Sequence, residues 1–176
     1  MKRLAKIGAF QILVLLSYGS VVSCAQDRRV FDPATLSDAG KTAYQTVLNA
    51  AIFSIGGVGI AGETSKDEYA MVALLSEPNG VAALRSLVTD ATPEGGLYGL
   101  AGLYVKDLQT FNTESAVFLK RDFPANRKNT FLPKIPEGFV LTQEGCLIGA
   151  QKPKTLVERI ATGKYDWGLK RYSERK

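Results

Sequence analysis

Chemistry has few side chains to work with in this 176-residue chain. It contains no histidine. That removes imidazole general bases, Ser-His-Asp and Cys-His nucleophile activation and His-ligated metal centres together. The two cysteines, Cys24 and Cys146, are too few for a disulfide framework or a four-Cys metal knuckle. Cys146 lies in Glu144-Gly145-Cys146-Leu147-Ile148, with no cation within two positions to favour a thiolate. A buried, inert thiol is expected there. Gly57-Val58-Gly59-Ile60-Ala61-Gly62 matches G-x-G-x-x-G. A dinucleotide fold needs that run between a buried strand and a helix start. Here helix-like spacing precedes it, and the next helix start falls at Ser65, so a glycine-rich turn between helices is expected. Gly40-Lys41-Thr42 ends like a phosphate-binding loop, but Thr35 stands where the loop's first glycine belongs. No catalytic, metal or cofactor site is therefore expected. Lys164, Trp167, Lys170, Arg171 and Tyr172 mix aromatics with cations near the C-terminus. They are the candidate surface for an anionic partner. A bland alternative has Trp167 and one tyrosine docking the tail on the core.

The N-terminus carries an address. Residues 1–6 are short and basic, residues 7–16 are apolar apart from Gln11, and residues 17–23 are small or weakly polar. This is the order of a secretory signal. The apolar stretch is short of the ~20 residues a spanning helix needs. Val21-Val22-Ser23-Cys24 resembles the lipobox of bacterial lipoproteins, with Val21 where leucine is usual and Ser23 where glycine or alanine is usual. The resemblance implies a diacylglycerol on the Cys24 sulfur, often with a further acyl chain such as palmitate, and anchoring in a membrane. Ala25 after the cysteine implies the outer membrane in the enterobacterial sorting pattern. Cleavage after Ala25, giving a soluble secreted protein that starts at Gln26, is the alternative. Glu114-Ser115 resembles the Glu-Ser pair of lytic transglycosylases, where the glutamate acts on peptidoglycan. The glycine-rich continuation of that family is replaced by Ala116-Val117-Phe118. A carboxylate-based glycan hydrolase is thus the enzymatic alternative to a binding or scaffolding role, and a solvated glutamate is the plain reading of Glu114.

Charge divides the mature chain. The formal net charge is +5, but Lys2, Arg3 and Lys6 belong to the signal. Residues 24–119 are acidic in balance, and residues 120–176 are basic. Such asymmetry is consistent with an anionic envelope component or protein partner for the C-terminal part, nucleic acid not being an expected partner of an exported chain, or with neutralisation inside one domain.

The elements that must position these residues read as short helices. Residues 1–23 form the signal, 24–36 a tether, and 37–176 one mainly α domain of several short packed helices. A small β-hairpin or irregular part is expected towards the C-terminus. Tyr44, Val47, Leu48, Ala51, Ile52 and Ile55 recur at helical spacing after Ser37 or Asp38. Ser65 and Glu68 have capping-box spacing. Glu68, Met71, Val72 and Leu75 share one face, which Tyr69 and Leu74 widen. A third helix carries Val81, Leu84, Leu87 and Val88. Thr92-Pro93-Glu94 is a strong start signal, and Leu97, Leu100, Ala101 and Tyr104 line the face that follows. Asp107 caps a fifth helix. Residues 139–142 and 146–148 pair as a hairpin around Glu144-Gly145. A final helix spans 156–161 and stops at Gly163.

Overall fold

The computed structural model describes residues 30–125, 131–132 and 134–173. These form one mainly helical domain with two small antiparallel hairpins. A 3-10 turn, Pro33–Thr35, leads to α1 (Asp38–Leu48). Strands β1 (Gly57–Val58) and β2 (Glu63–Thr64) precede α2 (Lys66–Leu75), α3 (Gly80–Asp90), α4 (Pro93–Lys106) and α5 (Leu108–Phe118). The second hairpin, β3 (Val140–Glu144) and β4 (Leu147–Gln151), is followed by α6 (Pro153–Ala161) and α7 (Asp166–Ser173).

Helix starts lie where the short polar residues predict them. Ser37, Ser65, Thr92 and Asp107 each accept a backbone N–H three residues on, satisfying a donor that the helix itself cannot use. Pro93 at the first position of α4 pre-sets the backbone. Gly163, with φ of 72°, follows the last turn of α6.

Helix α4 is the central element. Leu97, Tyr98, Leu100, Ala101 and Leu103 are all fully buried, a wider burial than the one face the spacing predicts. The surroundings explain it, since α1, α2, α3, α5, α6 and α7 all pack on α4. A Cβ on Gly99 would lie 2.7 Å from the Leu84 carbonyl oxygen of α3, so this helix pair approaches more closely than alanine would allow. Ser65 at the start of α2 meets Tyr98, and Lys106 Nζ donates to the Leu75 carbonyl near the end of α2. Helices α2 and α4 therefore run in the same direction. Ser37 bonds Glu77 and Thr92 N–H donates to the Leu48 carbonyl, so α1 runs the opposite way.

The expected helix through Ile55 is corrected. Helix α1 ends at Leu48, and Ile52, Phe53 and Ile55 are buried in an extended segment. Phe53 N–H donates to the Leu141 carbonyl, and Gln143 N–H donates to that of Phe53. Tertiary pairing with β3 overrides helical spacing here, because the same apolar residues find strand partners. A small cluster of Ile52, Ile135 and Leu141 fills the space beside the main core.

Candidate functional site

Two hairpin tips meet at one end of the domain. In the first, Gly59 and Gly62 take φ of 69° and 65°, conformations that suit glycine, and Ile60 stands at the apex. The run read as an interhelical turn is thus a hairpin, closed by the pairs Gly57↔Thr64 and Val58↔Glu63. In the second, Glu144 pairs with Leu147 across a two-residue loop, and Gly145 supplies a φ of 58°. The tips are joined. Val58 and Gly145 form a parallel bridge, and Gly59 N–H donates to the Gly145 carbonyl at 3.0 Å.

The joined tips place large apolar side chains in water. Ile60 is 100% exposed and Leu147 is 79% exposed, with Ile148 and Cys146 exposed beside them. Cys146 is corrected from the buried thiol expected. In a two-residue hairpin loop its side chain has no core to enter. Charge is sparse at the tips. Glu63 is exposed, and Glu144 is held by Arg159, which also donates to Gln151 Oε1 at 2.9 Å.

Helix α7 braces this end. Tyr165 and Leu169 are buried and Tyr172 half-buried, four and three residues apart on one helical face. Burial pushes the Tyr165 phenol up, and its hydrogen bond with Arg159 opposes that shift. Tyr172 OH donates to Glu68 Oε1 at 2.7 Å, while Gly56 N–H donates to Glu68 Oε2 at 2.8 Å. Glu68 thus ties the base of the first hairpin to the C-terminal helix. Trp167 is corrected: it does not enter the core but is 66% exposed, its ring lying over Gly56. Any Cβ at residue 56 would collide with that ring, and the φ of 94° there also suits glycine. Lys164 is exposed between α6 and α7. Lys170 and Arg171 lie on α7, with side chains outside the described part, and Cys24 lies outside the described residues. Trp167 and Tyr172 both reach the Gly56 end of the first hairpin, Trp167 by its ring and Tyr172 through Glu68.

Beneath the first hairpin lies a buried polar cluster. Tyr98 OH donates to the Ser54 carbonyl at 2.9 Å and accepts from Ser54 N–H at 2.9 Å. The hydroxyls of Ser54 and Ser65 lie within hydrogen-bond distance of it. Burial drives the Tyr98 phenol far above its usual range, so it stays protonated and serves as a brace. Asp67 is buried next to this group, and its Oδ1 is the buried side-chain oxygen without a hydrogen-bond partner among the described residues. Desolvation raises its carboxyl above the usual carboxylate range, opposed by the nearby Lys66 charge.

Three further acids are buried. Glu94 Oε1 accepts the Leu141 N–H at 2.9 Å, pinning β3 to the start of α4. Glu114 is not solvated, as the plain reading had it, but buried with Arg85 Nε at 2.8 Å from Oε1. Glu68 is the third. The available signal was helical spacing: Glu114 falls on the face of Phe111 and Phe118, and Glu68 on that of Met71 and Leu75.

Among the described residues, no group of three or more acidic or cysteine side chains is arranged to hold a metal ion, and no helix is long and apolar enough to cross a membrane. The chain matches no known family, curated protein or solved structure.

Proposed function

We propose that this is a lipid-anchored cell-envelope protein that acts by binding, with the paired hairpin tips as its working face. The lipobox-like Val21-Val22-Ser23-Cys24 supports the address. The observation that carries the binding role is the union of two hairpin tips through Val58 and Gly145, with Ile60 on one and Leu147 beside the other left in water. Exposed bulky apolar groups gathered at one end of a domain mark interaction sites. The glycan-hydrolase alternative rests on Glu114, and the pairing of that buried carboxylate with Arg85 supports a structural role instead.

Mass spectrometry of the mature N-terminus tests the address. A diacylglyceryl adduct on Cys24 is expected, and a chain starting at Gln26 overturns it. Incubation with purified peptidoglycan tests the role. No turnover is expected, whereas release of glycan fragments that stops on Glu114→Gln would establish the hydrolase.

A further inference from the structure

We infer that the joined tips contact lipid directly, giving the protein a second membrane contact of its own beside the acyl anchor on Cys24. This rests on the lipoprotein reading for its location but not for its chemistry. The argument begins with shape. Ile60 stands at the apex of one turn and Leu147 flanks the other, both exposed, so a receptor for them must yield around protruding side chains. The interfacial region of a bilayer does so.

Tether length agrees. Five residues lie between Cys24 and Val30, where the described chain begins, so six Cα-to-Cα steps connect them. Fully extended, they reach about 20 Å. Phe31 packs on Tyr44, in the middle of α1, so the chain joins the domain partway along rather than at a remote end. Helix α1, with 11 residues, is about 16 Å long. A fully extended tether is therefore longer than α1, which is compatible with a hairpin end that meets the bilayer holding the Cys24 lipid.

Charge and side-chain type complete the case. Arg159 neutralises Glu144, and Glu63 is the other acid at the tips. A face of this kind suits zwitterionic headgroups and gives contact that salt does not weaken. Trp167 lies at the base of the first hairpin over Gly56, not at the apex. Its amphipathic ring suits the headgroup level while the aliphatic tips enter the acyl boundary.

The test uses the mature chain carrying Cys24→Ser, so that no lipid can be attached, with zwitterionic phospholipid vesicles. Sedimentation with vesicles and a blue shift of Trp167 emission are expected, unchanged by salt. The pair Ile60→Asp and Leu147→Asp should weaken partitioning about tenfold or more. Leu108→Asp, exposed at the start of α5, should not alter it. Unchanged thermal melts establish that each variant is folded. Three results overturn the inference: no partitioning by the Cys24→Ser chain, equal partitioning by the tip variant, or binding only to anionic vesicles at low salt. The anchor reading is scored separately by the Cys24 adduct. Vesicle binding without an adduct removes the anchor and leaves the tip contact standing, and an adduct without vesicle binding does the reverse.

Discussion

Helix α4 and the hairpin tips use similar aliphatic residues to opposite effect. Leu84, Leu97, Leu100 and Leu103 are wholly withdrawn from water around α4, while Ile60 and Leu147 stand out into it. The difference lies in what the backbone offers. The helices present whole apolar faces to neighbours close enough for Gly99 to touch the Leu84 backbone. The tips are two-residue and four-residue turns with left-handed glycines, and a turn has no second layer to bury its side chains against. Stability should therefore concentrate around α4, and interaction at the tips.

Substitutions can break or sharpen that contrast. Leu84→Ala leaves a cavity between α3 and α4 and should cost about 2–5 kcal/mol in denaturant unfolding. A loss near zero would mean that the helix pair is not the centre of the core. Tyr98→Phe keeps the packing but strips the hydroxyl from the Ser54 backbone, and about 1–3 kcal/mol should be lost. Retention of full stability would show that another group satisfies Ser54. Asp67→Asn should act in the opposite direction. The Asp67 carboxyl is raised by burial, so its folded pKa exceeds the unfolded one. Its contribution is most favourable below the unfolded value and is lost as pH rises through the folded one. The asparagine variant should melt higher at pH 7, and the gain should shrink on acidification through the carboxylate range. A gain that ignores pH would point away from desolvation. Smallest of all, Ile60→Ser and Leu147→Ser should each change stability by no more than about 0.5 kcal/mol, since neither side chain is covered. A large loss would place the tips in the core instead.

The same contrast separates what was legible in the sequence from what was not. Capping residues act within three positions, so Ser37, Ser65, Thr92 and Asp107 marked their helices correctly. Glu144-Gly145 likewise announced the second hairpin. Non-local effects were hidden. Nothing near Phe53 discloses that β3 will pair with it, and helical spacing was the wrong guide for Ile52 and Ile55. Asp166–Ser173 form an unforeseen helix because Tyr165, Leu169 and Tyr172 find the core. The buried acids follow the same rule. Glu94 reads as a favourable first-turn charge, and only the fold reveals that Leu141 N–H is its partner. At the candidate face, the glycines of 56–62 were visible, but the apex exposure of Ile60 and the neighbouring position of Leu147 depend on the union of two hairpins.

The bridge between Phe53 and Thr142 has a consequence for the order of assembly. Parallel partners need a long crossover, and here α2 to α5 make up most of it. As the chain is synthesised from its N-terminus, the stretch around Phe53 emerges well before the strand that will receive it. The helical centre can gather while that stretch waits, so the hairpin end should be the last part to acquire protection from hydrogen exchange during refolding.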